Sequence, residues 1–304
     1  MNHVPPFLRI LNFTAPEDML RDAPSQWEEL KAQIARHPGT VVVSAEIICG
    51  ADVELGRRII AELNVPDTRV VLTLRSIDQL LPSTWQEYVK AGDTIRYDDW
   101  LDAVFSGPST AVTSFFWITG NLAEMTERWT AIAGRENLSV IVLNPRDQNQ
   151  VYRDFESVIG LPDGFLVPQP DDLSNRSMTA AESEFIRRLN VAIVGDRPGQ
   201  HGYTVLPLSA LWTMLRRGPS NDEPRLTLSR SRRVKTRKLS QEFVRRIEAT
   251  GAHIVGDLSD LVPSRPKMRD RSSRRAESMP IDAAVALAAS LAPSAMRDRT
   301  SMTE

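Results

Sequence analysis

Hydrophobic and polar positions along this chain fall into blocks whose period changes several times. Three short runs, Thr40–Ser44, Arg69–Leu74 and Leu138–Leu143, are rich in β-branched residues, almost wholly apolar and followed by polar positions. That is the pattern of strands covered on both faces. Between them the period lengthens to that of helices. Ser25-Gln26-Trp27-Glu28 has the form of a capping box, opening a helix that has ended by Gly39. Asp52 is placed to cap a helix carrying Leu55, Ile59, Ile60 and Leu63 on one face. Asn121 is placed to cap Leu122–Ala133, with Leu122, Met125, Trp129 and Ile132 turned inward. The order helix, strand, helix, strand, helix predicts a parallel sheet with helices on both sides.

After the third run the pattern becomes helical. Residues 148–159 place Val151, Phe155, Val158 and Ile159 on one face, and Thr179-Ala180-Ala181-Glu182 is a second capping box before Phe185, Ile186 and Leu189. Gly195–Tyr203 and Gly218–Pro224 read as loops. Ser240–Thr250 reads as a helix and Ala252–Val255 as a short last strand. Beyond Pro263 the chain is rich in Arg, Ser and Pro and poor in aromatics, so 264–304 is expected to be a disordered tail, with Ile281–Leu291 as an Ala-rich helical candidate.

Composition narrows the class. At 304 residues, 41% hydrophobic and 25% charged, the chain can bury a substantial core as a soluble globular protein. No apolar run approaches the roughly 20 residues that span a bilayer. The N-terminus lacks the basic flank and apolar stretch of a secretion signal. The one cysteine, Cys49, cannot form an internal disulfide or a zinc cluster. A cytoplasmic protein with no membrane partner and no metal is the expectation. The net charge of −2 conceals an asymmetry: residues 1–224 carry 20 Lys/Arg against 30 Asp/Glu, and residues 225–304 carry 17 against 9. Such a basic end binds anions or nucleic acid, or lies against its own acidic body.

The most informative stretch runs from Val70 to Glu87: a buried strand, an arginine at its carboxyl end, then a helix. In open α/β sheets the ligand crevice lies outside the carboxyl ends of the strands, so Arg75 is aimed at the place a ligand would take. Its planar fork of donors suits phosphate. Ser83, eight residues on, lies about two helical turns away. The alternative is a strand closed by a surface ion pair, with Ser83 merely accompanying Pro82.

Here the sequence resembles a known family. A strand ending in an arginine, with a serine at plus eight, resembles the element by which sulfotransferases hold the 3′-phosphate of 3′-phosphoadenosine 5′-phosphosulfate. Leu81-Pro82-Ser83-Thr84-Trp85-Gln86-Glu87 resembles the "LPSAWQE" stretch of an actinobacterial sulfotransferase-like family, apart from Thr84. Gly39–Glu46, Asn175-Arg176-Ser177-Met178, Arg187-Arg188-Leu189-Asn190 and Gly256–Pro263 follow in the same order, so the likeness runs from about Trp27 to Pro263. It implies a P-loop-NTPase-like α/β fold, a parallel sheet flanked by helices. Here that fold is expected to be incomplete at the N-terminus, with a helical C-terminal part. The expected division is a body at 1–224, a basic segment and last helix and strand at 225–263, and the tail.

The resemblance also implies chemistry: sulfuryl transfer to a small-molecule or glycan acceptor, with Arg75 and Ser83 as nucleotide contacts. A base must take the acceptor's proton, and Glu46, just after the first run, is the candidate. The family often has His where Ala45 stands, which leaves this position poorer in proton-transfer groups. One departure is larger. The family's opening strand leads into a Lys-x-Gly-Thr-type loop whose backbone N–H groups and lysine cradle the 5′-phosphosulfate. The only Lys-x-Gly here, Lys90-Ala91-Gly92, reads as a helix end with Gly92 as its cap. A start codon placed too late, a degenerate paralogue or a split gene would each account for this, and whether this chain catalyses transfer alone is left open.

Arg225–Arg246 holds nine Lys/Arg and one acid, Glu242, with almost no aromatic residues interleaved for base stacking. It reads as solvated surface, as a nucleotide-phosphate contact or, least of all, as a nucleic-acid site. His3, His37, His201 and His253 lack metal-ligand spacing, and His201 is a weak acid/base candidate. Two alternatives to the enzyme are a non-catalytic binding or scaffold protein of the same fold and a nucleic-acid-associated protein.

Overall fold

A computed structural model describes residues 23–107, 112–147, 149–168, 176–199, 208–220, 222–264 and 278–291. In chain order its main elements are α1 (Ala23–Arg36), α2 (Val53–Leu63), β1 (Val70–Leu74), α3 (Ile77–Lys90), α4 (Tyr97–Ser106), α5 (Ser114–Gly120), α6 (Leu122–Ala133), β2 (Leu138–Val142), α7 (Gln150–Ile159), α8 (Ala180–Val194), α9 (Leu208–Leu215), α10 (Arg230–Ala249), β3 (His253–Val255) and α11 (Ile281–Leu291). The fold is α/β, with a small parallel sheet flanked by helices. Two units compose it: residues 1–77, 114–168 and 236–264 form the first, and 78–113, 169–235 and 265–304 the second.

The first unit holds the sheet, in the order β1-β2-β3, all parallel. Leu138, Val140, Ile141 and Val142 of the central strand are buried, as the apolar run predicts for a strand covered on both faces. α6 supplies Leu122, Met125 and Trp129 to the same core. Asn121 caps it by accepting from Glu124 N at 3.2 Å, and Asp52 caps α2 by accepting from Leu55 N at 2.8 Å. α2 approaches α6 closely at Gly56, where a Cβ would lie 2.5 Å from Ile132 Cδ1. Any larger side chain there would force Ile132 to shift.

Three expectations are corrected. Thr40–Ser44 is not a strand: no ladder forms there, and Val41 and Val42 stay exposed. A β-branched run becomes a strand only when a neighbour takes its backbone groups, and among the described residues none does. The helix expected to open at Ser25 is already formed at Ala23, so that box does not start it. The helix expected from Ser240 begins ten residues earlier, at Arg230.

The second unit is built on α3, α4, α8, α9 and α11. Trp85 packs against Tyr97, ring centroids 5.1 Å apart, and its indole donates to Ile95 O at 3.1 Å. Thr179 opens α8 with the full capping box: its hydroxyl accepts from Glu182 N, and Glu182 accepts from Thr179 N. Beside it lies a buried charge network. Glu182, fully excluded from solvent, accepts both ends of the Arg176 guanidinium at 2.8 Å and Arg217 at 2.9 Å. Arg217 also reaches Glu223 and, in α11, Asp282 at 3.0 Å. α11, expected as an Ala-rich helix, is present and seats Ala283 and Leu287 against α9. The rest of the expected tail, 265–277 and 292–304, lies outside the described residues.

Candidate functional site

Parallel strands that start in register also end together, and their carboxyl ends gather whatever follows them. Leu74 pairs with Val142, and the ladder continues one step as Leu143 N donates to Leu74 O at 2.9 Å. Arg75 follows at once and is exposed. On the neighbouring strand, Asn144 Oδ1 accepts from Arg146 N at 2.9 Å and Asp147 Oδ1 from Asn149 N at 3.1 Å, which folds the β2–α7 loop into two short side-chain-closed turns. Past β3, Gly256 has φ +94°, and a Cβ there would lie 2.9 Å from Val142 O. The backbones approach too closely for any other residue.

Glu46 opens a 3-10 turn, Glu46–Gly50, and is exposed. α6 fixes that turn: Arg128 donates to Cys49 O at 2.8 Å and the Trp129 indole to the same oxygen at 3.4 Å. Burial raises the Cys49 thiol to about 11; Arg128 opposes this and the Glu46 carboxylate adds to it. Glu46 and Arg75 thus belong to one unit. Ser83, half-buried in α3 after Pro82, belongs to the other.

The residues that carry the family resemblance in the second unit are chiefly packing groups. Gln86 donates to Met178 O at 2.8 Å and Ser183 Oγ at 3.0 Å, and accepts from Met178 N. Asn190 donates to Val89 O and Asp93 O, and Arg187 to Thr94 O. Arg176 is held by Glu182. Lys90 pairs with Glu87 at 2.8 Å, and Gly92, at φ +96°, closes α3 by donating to Val89 O. The Lys-x-Gly is therefore a helix end, as its place in the sequence predicts.

Sequence reading did not find a cleft of about 350 Å³ in this unit, lined by charged residues such as Arg96, Asp99, Arg187 and Arg188 together with the apolar Ile95 and Val191. The neighbouring arginines 187 and 188 were its only signal. Glu184 takes both of them at 2.8 Å, and Arg96 lies 3.7 Å from Asp99, so the cleft presents no concentrated field of either sign.

Much of the basic run is also matched internally. Arg232 pairs with Asp98 and Asp102, and Lys235 lies over the Phe105 ring. Arg246 pairs with Glu127, Arg245 with Glu242, and Arg225 donates to Ser177 O. His253 lies in β3 with Nδ1 3.3 Å from Ser139 Oγ, while His201 is outside the described residues. Among the described residues no group of three His, Cys, Asp or Glu could hold a metal, and no helix is long and apolar enough to cross a membrane. Comparison with protein-family models, with curated proteins and with solved structures finds no match to this chain.

Proposed function

We propose that this is a sulfotransferase-like protein of P-loop-NTPase-like fold that binds a 3′-phosphorylated adenosine nucleotide at the carboxyl edge of its parallel sheet. The observation behind this is Arg75: an exposed guanidinium one residue past β1, where a parallel sheet presents its ligand crevice. Ser83 enters the proposal through the resemblance alone. Glu46, exposed at the start of its pinned turn, is the group proposed to take an acceptor hydroxyl's proton.

The residues fit the nucleotide unequally. Arg75 suits the 3′-phosphate. For the 5′-phosphosulfate, Lys90 and Gly92 are committed to the end of α3. When bound, the phosphosulfate would supply the sulfuryl group for a small-molecule or glycan acceptor, but no transfer step is assigned to these residues. A non-catalytic binding protein of the same fold is the second reading, favoured by that commitment of Lys90 and Gly92.

Calorimetric titration with 3′,5′-adenosine bisphosphate tests the proposal. Saturable heat is expected from the wild type, and Arg75→Ala should weaken binding about tenfold or more, as loss of a charge-assisted phosphate contact does. No heat from the wild type would sink the nucleotide assignment.

A further inference from the structure

The cleft of the second unit lies between the start of α4 and the C-terminal half of α8, and its charged groups have bonding capacity that the fold leaves unused. Arg96 stands immediately before α4 and Asp99 in its first turn; Arg187 and Arg188 lie on α8, and Asp196 on the segment after it. Arg187 is only 8% exposed, so its donors need acceptors. Nε and Nη2 donate to Glu184, and Nη1 donates to Thr94 O. A guanidinium carries five N–H donors, so two of these have no protein acceptor among the described residues.

The other charged groups are spent still less. Arg188 uses Nε alone, on Glu184, and its terminal nitrogens make no hydrogen bond among the described residues. Arg96 stands 3.7 Å from Asp99, beyond hydrogen-bond length. The carboxylates of Asp99 and Asp196 accept no hydrogen bond among the described residues. Both still act on Arg187. Its bonds to Glu184 hold its pKa above the ordinary arginine value against the pull of burial, and Asp196 and Asp99 add to that rise. Unspent donors and unspent acceptors therefore lie within electrostatic reach of one another.

That balance selects a ligand. An anion alone would meet two carboxylates, and a cation alone would meet three guanidinia. A zwitterion satisfies both sets with its opposite ends. Ile95, Val191 and Pro198 supply an apolar wall between the charges, and a volume of about 350 Å³ stands at the lower end of the ligand-pocket range, so the occupant is small. We propose that this cleft binds a small zwitterion with an apolar body, an α-amino acid or dipeptide of leucine type, its carboxylate on the arginines and its ammonium on Asp99 and Asp196.

Ligand-observed NMR titration of the full-length protein with L-leucine and with leucyl-leucine tests this. At least one should bind saturably. N-acetylleucine, which lacks the ammonium, and leucinamide, which lacks the carboxylate, should each bind about tenfold more weakly. Arg188→Gln and Asp99→Asn should each weaken the zwitterion about tenfold, and Asp99→Asn should leave the residual binding of N-acetylleucine unchanged. Both side chains are more than half exposed, so the denaturation midpoint should not move. Three outcomes overturn the proposal: no saturable binding of either zwitterion; N-acetylleucine or leucinamide binding as tightly as leucine, which would make the cleft a site for a single charge; or full-strength binding by either variant, which would place the zwitterion elsewhere. The cleft shares no residue with the proposed nucleotide contacts, so these results stand apart from the bisphosphate titration.

Discussion

Glu182 is the side chain on which the second unit most depends. A carboxylate with no solvent exposure is costly to bury, and two guanidinia offset that cost only while both remain in place. Glu182→Ala leaves Arg176 without its carboxylate partner and Arg217 held by Glu223 and Asp282 alone. A loss of about 3–5 kcal/mol is expected, read as a lower urea midpoint with unchanged slope. Nothing in the sequence draws this network together, because its members stand at 176, 182, 217, 223 and 282. The exposure of Arg75, by contrast, follows from its place one residue beyond an apolar run. Glu46 can be tested through its neighbour. With the Cys49 thiol raised to about 11, alkylation by iodoacetamide should be slow near pH 8 and accelerate only at strongly alkaline pH. Glu46→Gln removes a negative charge that disfavours the thiolate, so the onset should move to lower pH. An unchanged profile would place Glu46 too far away to act on that thiol.

At the scale of elements, local chemistry was legible and long-range pairing was not. Asp52, Asn121 and Thr179 each cap the helix their spacing announces, since a cap needs partners only three residues away. Asp52→Ala should cost about 0.5–2 kcal/mol by the same thermal or denaturant measurement. Thr40–Ser44 misled because its composition fits a strand while pairing is decided elsewhere in the chain. The first turns of α10 were missed because they are held by Arg232, which reaches both Asp98 and Asp102, and not by an apolar stripe. Gly256 is a feature that only the assembled sheet explains. Gly256→Ala would combine a strained positive φ with a methyl against Val142 O, so destabilisation beyond the ordinary Gly→Ala range of about 1 kcal/mol is expected from the urea midpoint.

Across the whole molecule, carboxylates held by arginine set the response to acid. Hydrogen bonds from Arg246 and Arg217 lower Glu127 and Glu223. Burial would raise Glu182 and Glu184, but their arginine partners outweigh it and leave both below the ordinary range. A carboxylate whose pKa is lower folded than unfolded stabilises the fold above the unfolded value, near 4.3, and loses that contribution as pH falls through the folded value. The urea midpoint should therefore change little on this account between pH 7 and 5 and drop between pH 4 and 2. The α/β class and parallel sense were readable from the order of elements, but the division into two interleaved units was not, since each unit gathers three separated stretches of chain. That interleaving bears on how the protein is made. Ser139 in the central strand waits for His253, more than a hundred residues later. Until the ribosome has delivered β3, one side of β2 is an open row of amide and carbonyl groups, the kind of edge on which nascent chains aggregate or chaperones hold. Formation of the complete sheet is thus a late, long-range event, and this chain should fold slowly for its size.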